Sequence, residues 1–414
     1  MIGIYNFIIE VANFFVPIFG VFNKKLKQGV EGRKKTFSLL EQNITSKDTV
    51  FWFHCASLGE YEQGLPVFQR IKNTNPEAKI VLSFFSPSGY EIRQQNPITP
   101  LVVYLPLDTK KNARLFLKIT RPKLVVFVKY ELWPNYLKAL KKESTKAILI
   151  SALFRKNHYF FNRFGTVWHS LLFSFDHIFT QNEASKILLN SIGYRDVTVS
   201  KDTRFDRVSN QLKQNNSLAF IETFLNGKQA LVAGSTWPED DQIILPYIKQ
   251  MGSDLKFIIA PHSIDPHYIG KLKQQLGEDA VLFSHYDEDS LSKKRIFIVD
   301  TIGVLTKLYS YASVAYVGGG MGTGGLHNTL EAAVFGVPII IGKNYNKFPE
   351  AKAMIQMGGM TSVSNKQDFK SSVDALMSNP KYREECGAKN TSYIKANKGA
   401  TDKIMKQLEL LFDD

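Results

Sequence analysis

Residues 315–342 read AYVGGGMGTGGLHNTLEAAVFGVPIIIG, and they hold the residue types with the clearest chemistry in the chain. A β-like run, 314–317, enters Gly318, Gly319 and Gly320. Gly324 and Gly325 precede His327 and Asn328, and Glu331 stands three residues after Asn328. Glycines let backbone approach a ligand closely, and a helix N-terminus offers unpaired N–H groups to an anion. Side chains three apart share one helix face, so Asn328 and Glu331 are expected together at the opening of a helix. Phosphate at the loop and ribose hydroxyls on the carboxylate would suit a nucleotide. A glycine-rich turn in an ordinary α/β domain carries the same signature.

A second carboxylate, Glu60, closes the phrase Ser57-Leu58-Gly59-Glu60 just after the apolar run 50–54 (VFWFH). A carboxylate at a strand–helix junction is held by the scaffold, and burial can raise its pKa into the range of a general base. The same position suits a carboxylate that only answers the helix dipole. Ser235-Thr236 before Trp237-Pro238-Glu239 reads as a helix start with Pro near its first position, and such hydroxyls serve either the helix or a phosphate. His262, after Pro261, either donates to a phosphate or caps a turn.

Other chemistries find no footing. The acidic triplet 287–289 lies among Ser290, Ser292, Lys293 and Lys294 and reads as a solvated loop. Eight histidines are scattered without metal-ligand spacing, so no metal is expected. P-loop, GxSxG and CxxC patterns are absent, and no acidic residue completes a dinucleotide fingerprint. Cys55 and Cys386 form no disulfide framework.

These residues need elements to position them. Short apolar runs at 50–54, 79–85, 101–104, 124–128, 147–150 and 177–180 are each followed by a polar cluster and a helix-like stretch. A second series follows at 230–233, 257–260, 296–299 and 314–317. That rhythm predicts βα repeats, parallel sheets and two successive Rossmann-like domains, with function beyond the carboxyl ends of the strands. The expected boundaries are 1–23 for an N-terminal helix, 24–207, 208–395, and 396–414 for a C-terminal helix packing back, with a polar linker at 207–217.

The 414 residues carry a net charge of +14, and it is unevenly placed. Residues 1–207 hold 30 Lys+Arg and 16 Asp+Glu, a balance of +14, while residues 208–414 hold 22 of each. The basic half points to an anionic partner, nucleic acid or an anionic membrane. Basic residues are not interleaved with aromatic ones in an RNA-binding pattern, so no nucleic acid is expected. Residues 1–23 carry one charge, Glu10, with Asn6, Glu10, Asn13 and Pro17 along one stripe and Ile4, Phe7, Ile8, Val11, Phe14, Phe15, Ile18 and Phe22 covering the rest. Such a helix either spans a bilayer or lies in its interface. Lys24, Lys25, Lys27, Arg33, Lys34 and Lys35 follow, which places the remaining chain on the cytoplasmic side, beside anionic headgroups.

The ordered set His54, Ser57-Leu58-Gly59-Glu60, Tyr104-Leu105-Pro106-Leu107-Asp108, Glu131-Leu132-Trp133-Pro134-Asn135, Arg204-Phe205-Asp206, Ser235-Thr236 and Gly318-Gly319…His327-Asn328…Glu331 resembles the 3-deoxy-D-manno-octulosonic acid (Kdo) transferases of lipopolysaccharide synthesis. The resemblance implies an α/β, GT-B architecture, with two Rossmann-like domains facing a cleft and an N-terminal membrane-anchor helix. It implies an inverting glycosyltransferase that needs no cofactor and moves Kdo from CMP-Kdo to a lipid A precursor (lipid IVA). The location implied is the cytoplasmic face of a Gram-negative inner membrane. Glu60 matches the family's general base. Ser235, Thr236, His262, Gly303, Gly318, Gly319, Asn328 and Glu331 match the donor side, and Ser57, Gly59 and Glu131 the acceptor side. Four phrases depart from the family. Lys129-Tyr130 stands where Glu-Thr is usual, Pro261-His262-Ser263 lacks an arginine, Val304 replaces a glutamate, and Ser151-Ala152-Leu153 replaces Asn-Ala-Arg. Arg155 and Arg204 are the candidates for holding acidic groups of the substrates. Two other readings compete: a UDP-sugar enzyme of the same architecture, and a non-enzymatic, membrane-tethered lipid- or nucleic-acid-binding protein.

Overall fold

The computed structural model describes residues 2–19, 23–161 and 165–413. It divides into two compact units, one of Met1–Arg207 with Lys398–Asp414 and one of Val208–Asn397.

In the first unit, α1 (Ile2–Phe19) and α2 (Lys24–Asn43) precede a strict alternation. It runs β1 (Val50–Cys55), α3 (Leu58–Thr74), β2 (Lys79–Phe84), α4 (Pro87–Arg93), β3 (Val102–Tyr104), α5 (Lys110–Thr120), β4 (Pro122–Val128) and α6 (Pro134–Lys142). It continues with β5 (Lys146–Ala152), α7 (Thr166–Leu172), β6 (His177–Thr180), α8 (Glu183–Ser191), β7 (Val197–Val199) and α9 (Arg204–Gln211). The strands form one parallel sheet in the order β3-β2-β1-β4-β5-β6-β7. Strands covered on both faces read as unbroken apolar runs, and β1 is buried at every residue. Alternate side chains go to opposite faces. Trp52 and Phe127 therefore fill one core with Phe116 and Tyr136, while Phe51, Phe53 and Val126 fill the other with Phe68 and Phe84. The polar run expected as a linker begins inside α9, where Arg207 pairs with Glu62 at 2.6 Å.

The second unit runs α10 (Ala219–Leu225), β8 (Gln229–Thr236), α11 (Pro238–Gln250), β9 (Leu255–Pro261), α12 (Pro266–Leu276), β10 (Ala280–Leu282), α13 (Glu288–Leu291), β11 (Ile296–Ile298) and α14 (Leu305–Leu308). It goes on through β12 (Val314–Val317), α15 (Leu330–Ala333), β13 (Ile339–Gly342), α16 (Pro349–Met357), β14 (Met360–Val363), α17 (Lys366–Ser378) and α18 (Pro380–Asn397). Its parallel sheet has the order β10-β11-β9-β8-β12-β13-β14. The chain then returns to the first unit as α19 (Ala400–Asp413), which buries Ile404 and Leu408 in the core around Phe53. Asp206 receives the backbone N–H of Gly399 and of Thr401, at 2.5 and 2.6 Å, and so fixes where α19 begins.

The strand order reverses between β1 and β4 in the first sheet and between β8 and β12 in the second. Ligands of open α/β sheets bind beyond the carboxyl ends at such reversals. The first carries Ser57–Glu60 after β1 and Glu131 after β4; the second carries Ser235 at the end of β8 and the glycine loop after β12.

The helix α1 is docked the wrong way round for a soluble protein. Its Tyr5 hydroxyl donates to Asp108 at 2.8 Å and its Asn6 carbonyl accepts from Asn135 at 2.9 Å, while Ile4, Phe7, Ile8, Val11, Phe14, Phe15 and Ile18 face solvent. No helix among the described residues is long and apolar enough to cross a membrane. The end of the expected 1–23 helix, residues 20–22, lies outside the described residues. One member of the basic cluster turns inward: Arg33 gives N–H bonds to the carbonyls of Leu105 and Phe85 at 2.9 and 2.6 Å. The carbonyls that end strands β2 and β3 take it from solvent, so it is not a headgroup residue.

Candidate active site

Ser57 is extended and β1 is packed on both faces, so α3 starts at a fixed point and Glu60 falls in its first turn. One Glu60 carboxylate oxygen, Oε2, accepts the backbone N–H of Ala56 at 2.5 Å and of Ser57 at 3.0 Å. Glu60 thus satisfies the helix start. It is also no ordinary helix-start carboxylate: burial, with the charge of Glu131 added, lifts it to about 7 against the opposing pull of Lys129 and the two N–H bonds. A carboxyl with that affinity for protons is suited to take one near neutral pH. Beside it Gly59 is exposed, and a methyl group there would meet nothing.

Glu131 is pinned by a chain of buried groups. Its Oε2 accepts the Trp133 indole N–H at 2.8 Å and lies 3.2 Å from His54 Nε2. His54 Nδ1 is 2.8 Å from Ser83 Oγ, which takes the Trp52 indole N–H at 2.7 Å. The Trp133 indole N–H also lies 3.0 Å from His54 Nε2, so it is shared between the imidazole and Glu131. The indole and the imidazole together fix the position of the Glu131 carboxylate. Asp108, lifted to about 6 by burial, accepts the backbone N–H of Asn135 and Tyr136 at 3.1 and 3.0 Å and so fixes α6 behind this network.

The two candidate arginines are differently placed. Arg155 is exposed beyond β5, and its charge acts on Tyr130, next to Glu131. Arg204 is clamped by Asp202, with Nε and Nη2 at 2.9 and 2.8 Å from its carboxylate. Lys129, Ser151 and Lys201, at or just beyond the ends of β4, β5 and β7, have φ of 64°, 54° and 76°. Left-handed backbone at non-glycine residues is strained and collects at functional sites.

In the second unit Ser235 repeats that conformation, with φ of 55° where the β8–β9 register shifts. Thr236 is buried, and its carbonyl accepts the N–H of His262 at 2.9 Å. The glycine loop folds onto this strand end through Asp240. Its Oδ2 accepts the N–H of Trp237 and of Gly319, both at 2.9 Å, and its Oδ1 accepts the Tyr316 hydroxyl at 2.6 Å. The chain itself requires these glycines. A Cβ on Gly318 would lie 2.3 Å from the Ser235 carbonyl oxygen, and one on Gly319 2.2 Å from that of Gly325.

Trp237, His262 and His327 stack, with His262–His327 centroids 4.3 Å apart and Trp237–His262 4.7 Å. The Trp237 indole N–H donates to His327 Nε2 at 2.9 Å. Burial and the neighbouring His262 push His327 down to about 4, so at neutral pH its remaining proton is on Nδ1. Asn328 and Glu331 do meet, the amide donating to Oε1 at 3.1 Å, and the Thr306 hydroxyl donates to Oε2 at 3.1 Å. Thr306 follows the exposed turn at Gly303, whose φ of 93° requires glycine. The helix expected after the loop is only the four residues of α15, so the helix-dipole part of the nucleotide argument does not apply; Gly336, at φ 71°, and Pro338 end it.

The candidates therefore form two groups, Ser57, Gly59, Glu60 and Glu131 in the first unit, and Ser235, Thr236, His262, Gly303, Gly318, Gly319, Asn328 and Glu331 in the second. His54, Ser83, Trp133, Trp237, Asp240 and His327 complete them; the first, third, fourth and last stand in the sequence phrases without a role there, while Ser83 and Asp240 lie outside those phrases. Two carry a local signal: Trp237 and Asp240 have the spacing of a residue before a helix and an acid in its first turn.

Residues 31–207 match the family model described as 3-deoxy-D-manno-octulosonic-acid transferase (Kdo transferase). The 3-deoxy-D-manno-octulosonic acid transferase of Chlamydophila psittaci is 26% identical over 385 residues, 90% of this chain and 88% of that protein. Over most of its length the chain is similar to Kdo transferases. A bifunctional glycosyltransferase/methyltransferase of Fusobacterium nucleatum is 27% identical over 402 residues, which are 92% of this chain and 61% of that protein. The UDP-GlcNAc 2-epimerase of Neisseria meningitidis, solved with UDP-GlcNAc, shares the fold at 15% identity, with a TM-score of 0.60 over 87% of this chain and 99% of that one.

Proposed function

We propose that this transferase moves Kdo from CMP-Kdo onto a hydroxyl of a lipid A precursor with inversion, and that Glu60 is the general base. The observation that carries the reading is the Glu60 carboxyl, held by two backbone N–H groups at a strand-order reversal and lifted to about 7. Glu60 takes the proton of the acceptor hydroxyl as its oxygen forms a bond to the anomeric carbon. The bond from that carbon to the phosphate oxygen breaks, and CMP departs with the electron pair. The new bond forms opposite the one that breaks, which inverts the centre.

The second unit takes the donor in this reading. Glu331, aligned by Asn328 and Thr306, accepts the ribose hydroxyls. The strained strand end at Ser235 and His327 Nδ1–H serve the phosphate, where oriented donors stabilise the leaving charge. Arg155, whose guanidinium makes no ion pair or hydrogen bond among the described residues, is the cation for an acidic group of substrate. The apolar outer face of α1 supports work at the cytoplasmic membrane surface, with the helix lying in the interface.

The test is an assay with CMP-Kdo and a lipid A precursor, with products weighed by mass spectrometry. Glu60→Gln is expected to abolish product while CMP, and not UDP, still raises the melting temperature. Product formed by Glu60→Gln near the wild-type rate removes the base from Glu60, and protection by UDP alone removes the CMP donor.

A further inference from the structure

A groove of about 510 Å³ runs between α5 and α6 on the first unit, and none of the residues assigned to transfer lines it. Lys110, Arg114 and Lys118 line it from α5, and Lys138 and Lys142 from α6, while Glu143 is the one acidic residue on its wall. Five cations against one carboxylate leave +4 around a single concavity. On α5 the three cations recur every fourth residue, which sets them along one face. All six side chains are exposed, and among the described residues none makes an ion pair or hydrogen bond within the chain. The arrangement contrasts with Arg33, Arg93, Arg204 and Arg207, whose charges are spent on internal carbonyls and carboxylates. Like charges gathered without counter-charge repel one another, so folding gains nothing from them.

The groove has a neighbour that says what reaches it. Asn135 lies on its wall and gives its amide N–H to Asn6 of α1. The helix whose apolar side chains face outward is therefore docked at the same place. A lipid would offer acyl chains to the first and an anionic head to the second. We propose that the α5–α6 groove binds the phosphate of an anionic phospholipid headgroup at the surface where α1 lies. Arg114 can pair with two phosphate oxygens at once, and the lysines supply point charges around it. The inference rests on the membrane-surface reading of α1, and it adds a site distinct from that of the acceptor.

The experiment is sedimentation of the full chain with vesicles of phosphatidylcholine, with and without phosphatidylglycerol. The wild type is expected to bind the anionic vesicles, and R114E/K118E/K142E to bind them at least about tenfold more weakly. A charge-matched variant at exposed positions elsewhere on the first unit, K47E/R195E/K406E, is expected to lose less than about threefold. Both variants are expected to keep wild-type melting and wild-type transfer to acceptor dispersed in detergent. Equal losses in the two variants mean diffuse attraction and overturn the groove. Binding untouched by R114E/K118E/K142E overturns the groove and leaves the membrane reading of α1 standing. A wild type that ignores both kinds of vesicle overturns both. In calorimetric titration, short-chain phosphatidylglycerol is expected to bind more tightly than inorganic phosphate. Equal affinity would make free phosphate the ligand and overturn the lipid assignment.

Discussion

The charge of Glu131 and the burial of Glu60 act in the same direction, and together they hold the Glu60 carboxyl at about 7. Lys129, two residues before Glu131, pulls the other way. The acid limb of kcat/KM is therefore expected near pH 7, with the rate rising as Glu60 loses its proton and level above that. Glu131→Gln removes a raising charge and should move the limb to lower pH, while Lys129→Met should move it to higher pH. A pH–rate profile of the three proteins checks both directions, and limbs that coincide would separate Glu60 from Glu131.

Glu60→Gln should separate stability from activity. Its carbonyl oxygen can take both N–H bonds that Oε2 accepts, and the ionised form is gone. The folded-state value of about 7 lies above the ordinary 4.5, so the wild type loses stability as pH rises from about 4.5 to about 7 and the loss is complete above that. At about 1.4 kcal/mol per unit the full difference is about 3 kcal/mol. Urea denaturation should find Glu60→Gln more stable than wild type at pH 8 and nearly equal to it at pH 5, while kcat falls by about 10²–10⁴.

Trp237→Phe should act through His327. The indole N–H on Nε2 fixes the imidazole proton on Nδ1, and phenylalanine keeps the ring while removing the donor. The ¹⁵N shifts of His327 should then report a mixture of tautomers. KM for the nucleotide donor should rise several-fold, with kcat less affected. A single unchanged tautomer would show that stacking alone orients the ring.

Gly59→Ala and Gly318→Ala should part company. The first places a methyl in open space, and the second places one 2.3 Å from the Ser235 carbonyl. Gly318→Ala should lower stability by about 1–3 kcal/mol. Gly59→Ala should melt like the wild type and show any defect as a higher KM for acceptor. A Gly59→Ala protein with both wild-type melting and wild-type KM would mean that acceptor does not approach there.

The βα rhythm was legible because residues 50–53 and 124–128 are apolar without interruption, as strands covered on both faces must be. The helix start at Pro238 was legible for a local reason, the fixed φ of proline in a first turn. What escaped depends on partners distant in the chain. Gly318 is glycine because Ser235 lies against it, and Asp240 matters because Gly319 donates to it. Arg33 sits in a basic cluster and still turns inward, because the carbonyls of Phe85 and Leu105 reach it only once the sheet exists. The helix dipole expected at Glu331 failed on length, a tertiary outcome of the turn at Gly336.

Ile404 and Leu408 of α19 complete the core that Phe53 and Val126 begin, yet about 190 residues of the second unit separate α9 from that helix. On the ribosome, at about 5–20 residues per second, the first unit waits about 10–40 s for its last core side chains. During that interval the core around Phe53 lacks its cover, while the second unit has every residue it needs. The order of maturation is thus reversed from the order of synthesis: the inserted unit can finish first, and the one begun first closes last.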